Sequence, residues 1–294
     1  MAAEPRLAKR AMIKQYDAPW GLGRISHRDR NSPDYYYSDS SGKDVRVYVL
    51  DTGIRISHSD FGGRALWGTN FVANTPNVDE DGHGTHVAGT IAGKTYGVAK
   101  KATVVAVKVL DKSGSGYMSG LLQGLNWAVA DAKKLGITKK SVINMSLGGA
   151  YTASVNEGVK AATDAGITVV VAAGNDNDTA ASYSPGSSPS AITVGATDRA
   201  DMRAYFSNWG GEVDIFAPGV EVVSAFNDGD TASATMSGTS MASPHIAGLA
   251  AYFIAKENLS GYAAVTKRIL DAATKGVGDR KECADRLAYN ADGA

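Results

Sequence analysis

Five short runs, residues 45–50, 104–110, 142–147, 168–173 and 191–196, are apolar almost without interruption and rich in Val. A strand with one face in water alternates apolar and polar residues, so a run that does not alternate is covered on both faces. The stretches between these runs have a different period. Residues 119–135 place Leu121, Leu122, Leu125, Val129 and Ala132 on roughly one helical face. Residues 86–92 follow a glycine-rich turn, residues 152–165 end at Gly166, a helix stop, and residues 240–255 and 263–273 complete the helical set. Strand and helix therefore alternate, which predicts an α/β protein with a mostly parallel central sheet covered by helices on both faces. Ligands of such sheets bind beyond the carboxyl ends of the strands, so the residues that follow each apolar run are the candidates for chemistry.

The chain has 294 residues, 44% hydrophobic and 20% charged, enough for one large core. No linker, repeat or composition break divides it, so one compact domain over residues 15–294 is expected, with residues 1–14 as a loose arm. Lys and Arg total 30, as do Asp and Glu, and no basic stripe points to nucleic acid or a membrane surface. No apolar run approaches the roughly 20 residues of a membrane span. The first 13 residues lack the apolar segment of a signal peptide, so either the protein stays inside the cell or this is a processed form with a replaced start. The single cysteine, Cys283, rules out an intrachain disulfide and has no His or Cys cluster beside it to make it reactive. Three tripeptides fit the N-glycosylation pattern, beginning at Asn144, Asn177 and Asn258, and the first lies within an apolar run, where burial is expected.

Asp51 follows the first run in Leu50-Asp51-Thr52-Gly53, as a site carboxylate or as a turn former. His83 stands between glycines in Asp81-Gly82-His83-Gly84-Thr85-His86, open to approach at a helix start. His86 packs inside that helix, and the pair lacks the i, i+4 spacing and intervening Glu of a helical zinc site. Gly238-Thr239-Ser240-Met241-Ala242-Ser243-Pro244 sets a serine among small residues before an apolar helical run. By itself this is a helix cap. It becomes a nucleophile if a base takes its proton and an acid orients the base, and His83 and Asp51 supply those groups. Asn175, in Ala173-Gly174-Asn175, is a turn residue on its own, but beside a serine nucleophile its amide and the N–H groups of the helix start are donors for an oxyanion.

The blocks around Asp51, His83 and Ser240, in that order, resemble the three signature blocks of subtilisin-like serine proteases, whose triad runs Asp, His, Ser. Ala18-Pro19-Trp20-Gly21-Leu22, Lys94-Thr95-Tyr96-Gly97-Val98, Asn144-Met145-Ser146-Leu147-Gly148-Gly149 and Leu287-Ala288-Tyr289-Asn290 are similar to the proteinase K branch, which includes oryzin-type alkaline and cerevisin-type proteases. The resemblance spans residues 15–290 and implies a subtilisin-like three-layer fold and serine endopeptidase activity. Carried over, Ser240 attacks the peptide carbonyl, His83 relays the proton, Asp51 orients His83, and Asn175 with the Ser240 N–H binds the oxyanion. The substrate lies as an added strand between Gly114-Ser115-Gly116 and Ser146-Leu147-Gly148. Ser146, Leu147, Gly148, Ala172, Ala173 and Gly174 wall the pocket for the residue before the scissile bond, and their small uncharged side chains favour large apolar or aromatic groups. Leu110, Met118 and Leu121 form a second apolar pocket, giving broad specificity.

The same resemblance implies a structural calcium held by the carbonyls of Pro189 and Ala191 and the side chain of Asp214, against the plainer reading of Asp214 as a local cap. It also implies a precursor with a signal peptide and an inhibitory prodomain, neither of which is in this sequence. The chain thus reads as a mature or trimmed monomer that is secreted or, alternatively, vacuolar and acts on proteins and peptides. Residues 228–236 depart from the family pattern. Two rivals fit less well. A non-catalytic scaffold would not keep all four chemical positions, and an α/β-hydrolase esterase needs Gly-x-Ser-x-Gly and the order Ser, acid, His.

Overall fold

The computed structural model describes residues 11–293. Seven parallel strands form the central sheet, in the spatial order Ile215–Pro218, Ile192–Thr197, Thr168–Ala172, Ser141–Met145, Arg46–Asp51, Thr103–Lys108 and Ala65–Asn70. The inner strands Ser141–Met145, Thr168–Ala172 and Ile192–Thr197 are buried at every residue, as their unbroken apolar runs require. Their side chains alternate between two cores. Val47, Val49, Val104, Ala106, Val142 and Val170 face one cluster, whereas Tyr48, Leu50, Val105, Val107, Ile143 and Val169 face the other.

Helices cover both cores. Thr239–Glu257 and His83–Ala92 pack on the first face with Tyr262–Ala272, and Met118–Lys134 and Ala153–Asp164 pack on the second. Helix Thr239–Glu257 is apolar nearly all round because it lies between the sheet and other helices. Among the described residues, no helix is long and apolar enough to cross a membrane.

Two strands of the central sheet fall outside the five runs. Ala65–Asn70 and Ile215–Pro218 are its two edges: Ala65–Asn70 is only partly buried, whereas Ile215–Pro218 is buried throughout but is four residues long and ends at a proline. Ala65–Asn70 is also irregular, with a register shift between Trp67 and Thr69. The boundary expected near Lys14 falls inside a strand, Met12–Gln15, that pairs antiparallel with Tyr35–Ser38, while residues 1–10 of the expected arm lie outside the described residues.

The stretch at 228–236 that departs from the family pattern is the second half of a hairpin, Val222–Ala225 against Ser233–Met236. It is fixed to the His83–Ala92 helix by buried His86. The His86 Nε2 lies 3.0 Å from the Val222 carbonyl and 3.2 Å from that of Ala234, and the Ser224 hydroxyl donates to the His86 carbonyl. Burial holds the His86 pKa down, to about 4, so it is a neutral structural donor. The hairpin tip is held by Asp230, which accepts from Arg55 and Ser57 at 2.7 Å each.

Candidate active site

The expected residues converge at the carboxyl ends of the inner strands. Asp51 ends its strand and is wholly buried. Its Oδ1 accepts from the Thr52 N–H and lies 2.7 Å from His83 Nδ1. A carboxylate only accepts, so Nδ1 carries the proton and the Nε2 lone pair is left facing the cleft.

His83 is the first residue of helix His83–Ala92, at the helix start expected for it, with a left-handed Gly82 before it; the apolar stretch that marks the helix begins only at residue 86. Gly84 explains the tight approach of this helix to the Asp51 turn. A Cβ there would come within 2.1 Å of the Gly53 carbonyl oxygen and 3.1 Å of Asp51 Oδ1. Burial by itself lowers the His83 pKa, but Asp51, through charge and hydrogen bond, and then Asp81 and Asp79 outweigh it and raise the pKa above the ordinary histidine value.

Asp79 was not apparent as a site residue from sequence. Its buried carboxylate accepts from Thr52 Oγ1 (2.8 Å), the Gly82 N–H (2.9 Å), and the Thr85 N–H (2.9 Å) and hydroxyl, tying the Asp51 turn to the His83 helix. Buried Lys108 ties the same turn to the segment after its own strand, donating to the Thr52 carbonyl at 2.7 Å and to the Leu110 carbonyl at 2.9 Å.

Ser240 is the second residue of helix Thr239–Glu257. Its hydroxyl donates to the Ser146 carbonyl at 3.1 Å, and it shares one cleft with His83. Asn175 is exposed beyond the strand Thr168–Ala172. Its Oδ1 accepts from the Thr239 N–H (2.8 Å) and hydroxyl (2.9 Å). Those two donors fix which end of the amide faces the helix, so Nδ2 is turned outward with no hydrogen-bond partner among the described residues.

The cleft that holds His83 and Ser240 has a volume of about 800 Å³. Leu110, Gly114, Ser115, Gly116, Met118, Leu121, Ser146, Leu147 and Gly148 all line it, as do Asp81, Tyr117 and Met236, which the sequence did not single out. A smaller pocket of about 270 Å³ opens beside Ser240, with Ala172, Ala173, Gly174 and Asn175 in its wall. Its one carboxylate, Asp176, is an exposed residue rather than a buried charge at the bottom.

Away from the cleft, Asp214 Oδ2 accepts from the Thr193 N–H at 2.9 Å, while the Asp214 N–H donates to the Thr193 carbonyl at 3.0 Å. This sets the carboxyl beside the segment that carries Ala191. Burial raises its pKa to about 6, and among the described residues it forms no ion pair within 4 Å. A desolvated carboxyl supplies the kind of oxygen a hard cation takes, while the Ala191 carbonyl accepts from the Tyr262 hydroxyl at 3.3 Å. The three glycosylation tripeptides also separate. Asn144 is wholly buried and hydrogen-bonded, whereas Asn177 and Asn258 are exposed.

The sequence pattern of the Subtilase family matches residues 42–287. Over 285 residues the chain is 53% identical to Subtilisin-like protease 2 of Pseudogymnoascus destructans, covering 97% of this chain and 70% of that protein. It is 52% identical over 281 residues to the Cuticle-degrading protease of Metarhizium anisopliae, covering 95% of this chain and 72% of that one. The crystal structure of a cold adapted subtilisin-like serine proteinase matches with a TM-score of 0.88 at 41% identity, covering 93% of this chain and 98% of that chain. The chain belongs to the subtilase family, in its proteinase K-like branch, and its three-layer fold is the subtilisin-like α/β fold. It is a serine endopeptidase.

Proposed function

We propose that this endopeptidase works through Asp51, His83 and Ser240, by way of an acyl-enzyme. Ser240 Oγ attacks the scissile carbonyl as His83 Nε2 takes its proton. Asp51 steadies the imidazolium, and His83 then protonates the leaving amine. Asn175 Nδ2 and the Ser240 N–H donate to the oxyanion. Water, activated by His83, releases the acyl group and restores the hydroxyl. The observation that carries this reading is the 2.7 Å Asp51–His83 contact opening onto the same cleft as Ser240. A fluorophosphonate probe tests it directly. Stoichiometric labelling at Ser240 supports it, and labelling elsewhere or nowhere overturns it.

The substrate reading is a peptide laid as a strand between residues 114–116 and 146–148, with a large apolar or aromatic side chain in the small pocket beside Ser240. Support comes from the absence of a buried charge among that pocket's lining residues. Digestion of a peptide library reads the preference, and dominant cleavage after Lys or Arg contradicts it. One relative is named a cuticle-degrading protease, in keeping with action on proteins outside the cell. Calcium at Asp214, with the carbonyls of Pro189 and Ala191, is the companion proposal. Bound there, the ion would stabilise the fold and take no part in the chemistry.

A further inference from the structure

Behind the nucleophile runs a chain of side chains that none of these roles uses. Ser243 Oγ donates to Asn144 Oδ1 at 2.8 Å, Asn144 Nδ2 donates to Ser146 Oγ at 3.0 Å, and Ser146 Oγ donates to the Ser240 carbonyl at 2.9 Å. Ser243 and Asn144 are wholly buried and Ser146 almost so.

The sequence explains why the chain is needed. Pro244 lies inside helix Thr239–Glu257 and has no N–H. The carbonyl four residues earlier, that of Ser240, therefore loses its helical partner. A carbonyl in the first turns of a helix that lacks its backbone donor needs another, and the nearly buried Ser146 hydroxyl supplies it. That hydroxyl has one proton, so its direction has to be set. The Asn144 amide N–H can only donate, which makes Ser146 Oγ the acceptor there and leaves its own proton for Ser240. Ser243 in turn holds the other end of the amide. Asn144 reaches this helix because it shares a strand face with Val142, which packs in the same core as Met241 and Ala242.

We propose that Asn144 and Ser243 are positioning residues for Ser240. Acting through Ser146, they fix the first turn of the nucleophile helix against the segment 146–148, so that the attacking hydroxyl and one edge of the substrate cleft move as a unit. The proposal rests on Ser240 as the nucleophile. It accounts for an amide buried among the apolar residues of an inner strand, and for a proline tolerated inside a helix at the site.

The test uses the full chain and three single variants, Ser243→Ala, Asn144→Leu and Ser243→Thr, with the Ser243→Ala/Asn144→Leu double. Circular dichroism checks folding. Peptide hydrolysis gives kcat and KM, and a fluorophosphonate gives the acylation rate at Ser240. Misplacing the nucleophile should lower kcat and acylation on the order of 10- to 100-fold in Ser243→Ala and Asn144→Leu, with KM nearly unchanged. Ser243→Thr should recover most of the rate. Because the links act in series, the double variant should be no slower than Asn144→Leu alone. If Ser243→Ala does not fold, Ser243→Cys, a weaker donor of similar size, takes its place with a smaller loss expected. Folded variants that keep the wild-type kcat and acylation rate overturn the proposal, as does a double variant whose losses multiply. A wild-type enzyme that fails to label at Ser240 overturns the nucleophile assignment instead, so the two failures are distinct.

Discussion

Ser146 and Ser240 exchange hydrogen bonds, each hydroxyl donating to the other residue's carbonyl, at 2.9 Å from Ser146 and 3.1 Å from Ser240. The Ser240 proton thus rests on a backbone carbonyl of the cleft wall. The proposed mechanism requires that hydroxyl to leave the carbonyl and turn toward His83 Nε2.

Removing one half of this exchange has a stated cost. Ser146→Ala keeps the carbonyl that Ser240 uses but strips the donor from the part-buried Ser240 carbonyl. Denaturant unfolding should show a loss of about 1 kcal/mol, the net worth of one intramolecular hydrogen bond. Stability equal to wild type would mean that another donor replaces Ser146.

Asn175 has two ends with separate duties. Asn175→Asp keeps an oxygen to accept from Thr239 and removes the outward N–H. The expected result is a fall in kcat on the order of 10²–10³-fold with KM little changed. A loss confined to KM would place Asn175 in substrate binding and not in oxyanion stabilisation.

Much of this was legible in the sequence, for a physical reason. The inner strands must be largely apolar on both faces, so residues 142–147 and 168–173 announce themselves, and the candidate site sits where they end. The edge strand Ala65–Asn70 is only partly buried and carries no such constraint, while Ile215–Pro218, buried throughout, is too short to stand out as a run. Asp51, His83, Ser240 and Asn175 stand out because small residues surround them. Asp79 does not, since an acid in an acidic, glycine-containing loop looks like a turn until Thr52, Gly82 and Thr85 are seen converging on it. Asn144 hides inside an apolar run, and only the missing N–H of Pro244 hints at its partner. The hairpin pairing Val222–Ala225 with Ser233–Met236 is held by His86 and by Asp230, contacts too distant in sequence to show as a pattern.

The pH dependence follows from His83. Nearby carboxylates raise its pKa despite burial. As pH falls through that value the base is protonated and activity is lost, so the acidic limb of kcat/KM should lie above about 6.5, the ordinary histidine value. Asp81→Asn removes one of these charges and should move the limb to lower pH. A limb that stays fixed or moves upward would contradict the electrostatic account.

Calcium at Asp214 makes a prediction about heat and not about rate. A ligand present at about 100 times its Kd adds roughly 2.7 kcal/mol to the folded state. Chelation should therefore lower Tm on the order of 5 °C for a chain of this size, and Asp214→Asn should abolish that difference. An equal chelator effect in both proteins would put the ion elsewhere.

Hydrolysis of casein by Ser240→Ala reports whether one hydroxyl carries the chemistry. A folded protein with the wild-type circular dichroism spectrum and activity reduced roughly 10⁴-fold or more is expected. Casein cleavage at the wild-type rate would contradict it.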